Sequence, residues 1–383
     1  MKHLRLLALL LVFWPWLACA GPVCALPEGE ADGGMGGTGI VGAPQQAGGM
    51  GGTGAPLASG GIGGTGAPQQ EGGMGGTGIV GTITGFASVC VNGLEVHFDP
   101  ATPVSDNGRP AGVASLAIGQ VVAIHALPSA RGWVARSIDI LNLLEGPITR
   151  VSGDAGRIEV MGRPVRSDAA TRLAGLASLE AAAPGALLKV SGYRDGAGVV
   201  LATRIEAVRE LPEASVIGFA SRAGTGAQEI SGLPVQSATA LPLPPGGEML
   251  ARGVWEDGRL RITDRRSDPS LPFAGQVAHL VVEGVAMAHP AGHGLRLGGF
   301  DLEVAPDSAA MGQRVIVTGR LEADGDARRL QAIRFQRVFH AGRDRPVSGR
   351  PGQAAMKPPE RIQRPMSMTR PERPMRVMPR SAP

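Results

Sequence analysis

Hydrophobic and polar residues alternate with a period of two in short runs across 79–340. The clearest runs are 135–140, 202–207, 259–262 and 330–335, where Leu, Ile or Ala alternates with Arg, Glu, Ser or Gln. A period of two places apolar side chains on one face of a β-strand and polar side chains on the other. The pattern therefore predicts a mainly β protein made of half-buried strands.

A turn motif, apolar-x-Gly-x-x-apolar, recurs four times along this region. Its central glycines, Gly93, Gly162, Gly232 and Gly299, are 69, 70 and 67 residues apart. Near-constant spacing is the signature of tandem repeats. Turn pairs such as Asn92-Gly93 tolerate positive φ and predict β-hairpins.

Other landmarks keep the same spacing. Gly85-Phe86-Ala87-Ser88 in the first copy matches Gly218-Phe219-Ala220-Ser221 in the third, and this match aligns Gly85 with Gly218. Glu145-Gly146 opens the second copy and Glu283-Gly284 opens the fourth. Asp257-Gly258 predicts a further hairpin in the third copy.

Each copy contains about five short strands, which close most easily into a small barrel of the OB type. The Ala- and Leu-rich stretch 169–183 is the one segment that suggests a helix, between strands three and four of its copy, where an OB barrel usually places one. We expect four tandem OB-like barrels at 79–142, 143–210, 211–268 (short) and 277–340.

Glycine dominates the segment before the first copy, with 21 Gly among the 46 residues of 33–78. Gly-Gly-Met-Gly-Gly-Thr-Gly occurs at 33–39, 48–54 and 72–78, and at 60–66 with Ile for Met. The embedded G-x-G-x-x-G binds a dinucleotide only between a strand and a helix, which this context lacks. We predict a disordered low-complexity linker over 21–78.

The C-terminal segment 341–383 has nine Pro, five Met and a net charge of +7, whereas 21–340 carries a net charge of −5. We predict a disordered tail. It is either solvated or an anchor on an anionic envelope surface. Met366, Met368, Met375 and Met378 leave Cu(I) binding as a further alternative.

Residues 1–20 resemble a signal peptide, with a basic start, an apolar run and the small residues of Ala18-Cys19-Ala20. Cleavage before Gly21 is the simplest prediction. Cleavage after Ala25 and lipidation of Cys19 are the alternatives. No later segment reaches the ~18 apolar residues of a membrane span. We therefore expect an exported protein of the periplasm or cell envelope.

Export permits disulfide bonds. Cys24 and Cys90 remain after cleavage before Gly21 and could form a bridge. The interpretation we favour is that Cys90 is an unpaired, small buried residue on a strand.

The glycine-rich leader runs into Gly78-Ile79-Val80-Gly81-Thr82-Ile83-Thr84-Gly85-Phe86-Ala87-Ser88 and on to Asn92-Gly93. This sequence resembles exported bacterial proteins built from tandem domains of unknown function, family number 5666. The resemblance covers about 79–340. It implies OB-like barrels and export, and it implies no catalytic residues.

The candidate catalytic residues are explained by their positions at turns or copy boundaries. Ser105-Asp106-Asn107 lacks the companion motif of a β-lactamase and predicts a turn. Asp99, Asp106, Glu145 and Glu283 fall at turns or copy boundaries, where turn use explains them. We predict no catalytic and no cofactor-binding residue.

Histidines offer the nearest approach to a metal site. His289 and His293 flank Pro and Gly, which favour a loop tip over a helix face that could hold a metal ion. His97 and His125 lie on predicted strands and could be neighbours across a barrel. A strand histidine that is hydrogen-bonded or exposed is the simpler interpretation, so we predict no metal site and no cofactor.

Nucleic acid is not an expected partner. Binding single strands requires exposed aromatic residues and a basic groove. Residues 21–340 carry a net charge of −5, and Phe86, Phe219 and Trp255 occupy core-like positions of the repeat. We expect an exported, non-enzymatic binding or scaffold protein of the bacterial envelope. The alternatives are an envelope enzyme with a site between modules and a metal-handling protein that uses the Met-rich tail.

Overall fold

A computed structural model describes Cys24 and residues 76–338, with gaps at 155, 225, 238–242, 244–245, 289–293, 303–309 and 325–326. These residues form strands and one 3-10 turn, Val113–Ser115. Within these ranges no helix is long and apolar enough to cross a membrane. The mainly β prediction is confirmed. The predicted signal peptide, the glycine leader before 76 apart from Cys24, and the basic tail lie outside the described residues.

The strands fall into four successive groups, which we call repeats one to four. Repeat one contains β1 (Gly76–Phe86), β2 (Val89–Val91), β3 (Leu94–His97), β4 (Val104–Asp106), β5 (Arg109–Ala111), β6 (Val121–Ser129) and β7 (Gly132–Leu141). Repeat two contains β8 (Leu144–Val151), β9 (Arg157–Val160), β10 (Arg163–Arg166), β11 (Arg172–Ala174), β12 (Leu187–Arg194) and β13 (Val200–Val208).

The last two repeats have five strands each in the described ranges. Repeat three contains β14 (Ala214–Arg222), β15 (Gln228–Ile230), β16 (Leu233–Ser237), β17 (Glu248–Glu256) and β18 (Arg259–Ser267). Repeat four contains β19 (Val277–Ala288), β20 (Leu295–Leu297), β21 (Phe300–Leu302), β22 (Arg314–Asp324) and β23 (Ala327–Arg337).

The principal strands of each repeat pair in the same circular order. In repeat one, β1 pairs with β2, β2 with β3, β3 in parallel with β7, β7 with β6, and β6 with β1. The same order runs β8–β9–β10–β13–β12 in repeat two. It runs β14–β15–β16–β18–β17 in repeat three and β19–β20–β21–β23–β22 in repeat four. Circular pairing gives each principal strand partners on both sides.

The first strand of every repeat also pairs with the first strand of another repeat. β1 runs parallel to β19, and β8 runs antiparallel to β14. Repeats one and four therefore share one twelve-stranded sheet, and repeats two and three share an eleven-stranded sheet. One hydrophobic cluster is continuous across repeats two and three, including Leu144 and Val216. The repeats thus pack against one another.

Two-residue turns close the hairpins where the sequence predicts them. Asn92 and Gly93 have φ of 55° and 74°, and Asp257 and Gly258 have φ of 49° and 72°. Positive φ at both positions matches the right-handed twist of the flanking strands. The hairpin predictions at these two sites are confirmed.

The repeats align differently from the sequence match of Gly85 with Gly218. Gly218 faces Met249 on the fourth principal strand of repeat three, and Gly81 faces Val122 at the matching place in repeat one. Each glycine packs against the first residue of the next hairpin turn in its repeat. A Cβ on Gly81 would lie 2.1 Å from Asn92 Oδ1, and a Cβ on Gly218 would lie 2.4 Å from Ser231 Oγ. Gly81 is therefore the structural counterpart of Gly218, four residues before the predicted one.

The helix suggested for 169–183 is wrong. Residues Arg172–Ala174 form β11, which pairs in parallel with β13. Gly175 then adopts φ of 70°, which ends regular structure. Leu179 and Ala182 are buried in the core of repeats two and three. Hydrogen bonding to β13 and burial of these side chains outweigh the helical preference of the alanines.

A disulfide bond joins Cys24 to Cys90, with 5.4 Å between the Cα atoms. Cys90 is 1% exposed on β2, so its predicted burial is correct and its predicted unpaired state is wrong. The bond fixes residue 24 beside repeat one. β1 itself begins at Gly76, three residues before the predicted start of the first barrel.

Candidate functional site

The hairpin β4–β5 places a buried asparagine among three repeats. Asn107 and Gly108 form its turn, with φ of 44° and 74°. Asn107 is 1% exposed, and its Nδ2 donates to the Asn142 carbonyl and to Ser215 Oγ, each at 2.9 Å. The backbone N–H of Asn142 donates to Asn107 Oδ1 at 2.8 Å. The turn lies at Asn107-Gly108, so the turn predicted at Ser105-Asp106-Asn107 is correct at Asn107, whereas Ser105 and Asp106 belong to β4. The turn links repeats one, two and three.

A buried carboxylate lies next to this turn. Glu145 on β8 is 1% exposed and accepts hydrogen bonds from Ser215 Oγ at 2.6 Å and from Asn142 Nδ2 at 3.1 Å. Arg109 Nη1 lies 3.9 Å from its Oε2. Burial raises the pKa of the Glu145 carboxyl, and the hydrogen bond from Ser215 offsets only part of that rise.

Lys189 lies opposite Glu145 on β12 and bridges two carboxylates. Its Nζ is 2.5 Å from Asp106 Oδ2 and 3.7 Å from Glu145 Oε1. Burial lowers the pKa of Lys189, but the hydrogen bond and charge of Asp106, together with the charge of Glu145, outweigh burial and raise it. The ammonium group therefore stays protonated at neutral pH, which does not suit a general base.

A polar cleft of about 260 Å³ opens beside these groups, between repeats one and two. Repeat one contributes Asp106, Ala114, Ser115, Leu116, Ala117 and Gln120, and repeat two contributes Lys189, Ser191, Arg204 and Glu206, with Asn142 between them. Arg204 Nη2 is 2.9 Å from Glu206 Oε2. The four charged side chains of the cleft thus form two ion pairs, and the lining of the cleft is mainly polar.

A second buried polar cluster joins repeats one, two and four. Glu283 on β19 is 6% exposed, and its Oε2 accepts hydrogen bonds from the Thr82 N–H and the Tyr193 hydroxyl, both at 2.8 Å. Arg314 Nε donates to Glu283 Oε1 at 2.5 Å, and Arg314 Nη2 donates to Thr82 Oγ1 at 2.7 Å. Burial and the charge of Glu283 raise the pKa of Tyr193 well above its usual value.

The sequence places Asp99, Asp106, Glu145 and Glu283 at turns or copy boundaries, and the structure gives them two kinds of environment. Asp99 lies at a turn, where its Oδ1 accepts the Ala101 N–H at 2.8 Å, and Asp106 ends β4 directly before the Asn107-Gly108 turn. Glu145 and Glu283 lie on the first strands of repeats two and four, where the copies open, but they are buried inside those strands, so the explanation by turn use is wrong for both. A carboxylate next to an apolar run, as in Leu143-Leu144-Glu145, was the sequence feature that could have indicated this burial.

His97 and His125 lie on β3 and β6, strands that do not pair with each other. His97 Nε2 is hydrogen-bonded to the Arg131 carbonyl at 2.9 Å. His125 is 5% exposed, and burial lowers its pKa. The described part of the chain holds no cluster of three His, Cys, Asp or Glu placed to bind a metal ion. His289, His293 and the methionines of the tail lie outside it.

Phe86 does not occupy the core position that the repeat predicted. Its side chain is 43% exposed at the end of β1, whereas Phe219 is half-buried. The difference follows from the structural alignment of the repeats, since Phe86 is not the counterpart of Phe219. Trp255 is half-buried near its hairpin turn.

Circular strand pairing, repeated four times, defines an all-β protein of tandem repeats. The family model of a domain of unknown function (DUF5666) matches residues 77–139 and 145–206. The two matches fall in tandem on repeats one and two, in agreement with the resemblance seen in the sequence.

Other comparisons add little. No curated protein matches the chain. Among solved structures, a deletion mutant of the single-stranded DNA binding protein from Thermus aquaticus is 19% identical, over 37% of this chain and 90% of that chain, with a TM-score of 0.13. A TM-score this low carries no inference about fold or ligand.

Proposed function

We propose that this protein is an exported, non-enzymatic binding or scaffold protein of the bacterial envelope, whose folded region consists of four OB-like barrels. The circular order of five principal strands, closed by the parallel pair of strands three and five, supports the barrel assignment in each repeat. Repeated modules suit an extended or multivalent binding surface.

The observation that carries this proposal is the use of the converging ionisable groups. Lys189 is paired with Asp106, and Arg314 with Glu283. An acid–base catalyst needs a group that is free to exchange protons with a substrate. Lys189 and Asp106 pair across repeats two and one, and the Arg314–Glu283 pair of repeat four is hydrogen-bonded to Thr82 of repeat one and Tyr193 of repeat two. This use of the charged groups favours a structural role over catalysis.

The disulfide supports export, because such bonds persist in oxidising compartments. It also favours signal-peptide cleavage before Gly21 over cleavage after Ala25. The second site would remove Cys24 from the mature chain, and Cys24 is bonded to Cys90.

Cell fractionation tests the location and the role of the basic tail. We expect the full chain in the envelope fraction, with release by high salt and after deletion of 341–383, because the tail carries a net charge of +7. Deletion of the neutral leader segment 48–66 is the matched control and should leave the distribution unchanged. Recovery of the full chain in the cytoplasm with reduced cysteines would contradict export.

The polar cleft supports a second candidate, an envelope enzyme or receptor for a small hydrophilic molecule. Thermal unfolding of the full chain with a panel of monosaccharides and amino acids tests it. A compound that raises Tm of the wild type and not of Lys189→Met would favour this candidate. Arg150→Met, at an exposed side chain outside the cleft, is the control.

A further inference from the structure

One ten-residue sequence occurs twice in the chain. Gly-Gly-Met-Gly-Gly-Thr-Gly-Ile-Val-Gly stands at 33–42, in the leader, and again at 72–81. The second copy forms the beginning of β1 from Gly76 onward. All six residues of β1 from Gly76 to Gly81 are therefore duplicated without a difference in the leader.

The first half of β1 has its own partners. Residues Thr77 to Thr82 pair with β6, and Gly76 to Val80 pair with β19. From Ile83 onward β1 pairs with β2 instead. We call the space between β6 and β19 that residues 76–81 fill the β1 slot.

The β1 slot accepts few sequences. A Cβ at position 76 would lie 2.5 Å from the Ala126 carbonyl oxygen, and one at position 78 would lie 2.2 Å from a ring carbon of Phe273. The Gly81 position is closed in the same way by Asn92. The intervening Thr77 and Ile79 are at most 1% exposed. A replacement segment needs glycine at three positions and matching side chains between them, and 37–42 meets every requirement.

The other two leader copies do not meet the requirements of the β1 slot. Copies 48–54 and 60–66 are followed by Ala55-Pro56 and Ala67-Pro68, where β1 has Ile79-Val80. Alanine would leave the volume of a buried isoleucine unfilled. Proline has no N–H to donate within a strand that is paired on both sides. These copies are natural controls for the first one.

The disulfide keeps 33–42 within reach of the β1 slot. Cys24 is bonded to Cys90, which pairs with Gly85 on β1. Gly76 lies nine residues back along the strand, about 30 Å away. The twelve residues 25–36 can span about 40 Å. The leader copy can therefore reach the slot of its own chain.

We propose that residues 33–42 are a second strand for the β1 slot, which the protein's own leader supplies when 72–81 is displaced. The leader strand would end at Ala43-Pro44, with Ala43 at the place of Thr82, and the displaced segment would rejoin the sheet after Thr82, in the part of β1 that pairs with β2. The extra loop this creates favours the 72–81 strand in the wild type. The proposal is independent of the protein's function.

Hydrogen exchange on the full-length Gly78→Val variant tests this. The valine blocks 72–81 from the slot and leaves 33–42 intact. We expect amide exchange in 37–42 to slow by at least about tenfold relative to the wild type, and protection in 76–81 to be lost. Peptides that include the different flanking residues Asp32 or Glu71 distinguish the two identical segments by mass.

Two double variants distinguish strand replacement by the leader from simple destabilisation by Gly78→Val. Gly39→Val/Gly78→Val should lose protection in both segments and melt at a lower temperature than Gly78→Val. Gly54→Val/Gly78→Val should behave like Gly78→Val, because the second leader copy cannot replace β1. Unchanged exchange in 37–42, equal Tm values for Gly78→Val and Gly39→Val/Gly78→Val, or a dimeric Gly78→Val would overturn the proposal.

Discussion

At the scale of single residues, one position of the first strand separates even from odd repeats. The residue before the packed glycine is Glu145 in repeat two and Glu283 in repeat four, but Val80 in repeat one and Ile217 in repeat three. Each glutamate accepts a hydroxyl hydrogen bond from another repeat, Glu145 from Ser215 and Glu283 from Tyr193. The two carboxylates therefore each link their repeat to another one, at the energetic cost of burial.

Glu145→Gln is expected to change how stability depends on pH. Burial raises the folded-state pKa of Glu145 above its ordinary value of 4.5, so the folded state binds the proton more tightly than the unfolded state. The wild type should lose stability relative to Glu145→Gln as pH rises from 4.5 through that raised pKa. Urea unfolding across this range measures the trend. The exposed Glu210→Gln is the control, and a wild-type-to-variant difference that does not change with pH would contradict the expectation.

At the scale of elements, the fourth principal strand shifts register in every repeat. In repeats two to four the shift follows Ser191, Arg252 and Thr318, and a glycine comes next each time, whereas in repeat one it follows His125 and the next residue is Ala126. A Cβ on Gly253 would lie 1.9 Å from the Arg261 carbonyl oxygen, so the adjacent strand leaves no room for a side chain. Such bulges increase the twist that lets a short strand curve into a ring.

Gly253→Ala is expected to destabilise the protein by about 1–3 kcal/mol, because backbone atoms of β18 must move to admit the methyl group. Gly224→Ala is the matched control in the same repeat, since a Cβ there meets nothing within 4 Å. Chemical denaturation of both variants compares the two free energies of unfolding. Equal effects would show that the close approach is not what requires glycine.

At the scale of the whole molecule, buried polar clusters and one covalent bond join distant parts of the sequence. Glu283 and Thr82 are 201 residues apart, and Tyr193 and Glu283 are 90 residues apart. The disulfide adds a closure across 66 residues. Such long-range links favour unfolding of the repeats as a cooperative unit.

Tyr193→Phe should loosen the contact between repeats one, two and four. Loss of the hydroxyl removes one donor to the buried Glu283 and should cost about 1–3 kcal/mol. Amide hydrogen exchange in β1 and β19 should be faster in Tyr193→Phe than in the wild type. Ser221→Ala removes an exposed hydroxyl and should leave both measurements unchanged.

Loss of the disulfide should lower the free energy of unfolding by about 4 kcal/mol, because the unfolded chain gains the freedom of a long open loop. Urea unfolding of Cys24→Ala and of the reduced wild type should give the same value. Reductant should leave Cys24→Ala unchanged. A wild type that is insensitive to reductant would show that the bond contributes no stability.

The sequence predicted the elements better than it predicted the site. Period-two runs and Asn-Gly or Asp-Gly turns depend on neighbouring residues, so strands and hairpins such as the one at Asn92-Gly93 were readable. The roles of Glu145 and Glu283 depend on residues far along the chain, and a local pattern treated them as turn residues. The prediction that Phe86 is a core residue was wrong for a related reason. Strand register determines which residue of repeat one corresponds to Phe219, and that residue is not Phe86.

By itself, the amino-acid sequence determined the mainly β class and the fourfold repetition, and it showed the resemblance to a domain family in the first two repeats. Alternation and repeat spacing are local properties that can be read along the chain. Only the tertiary structure decided which first strands pair, that Cys24 bonds to Cys90, and that a polar cleft separates repeats one and two. These features arise where residues distant in sequence meet, and their partners depend on the three-dimensional packing of the repeats.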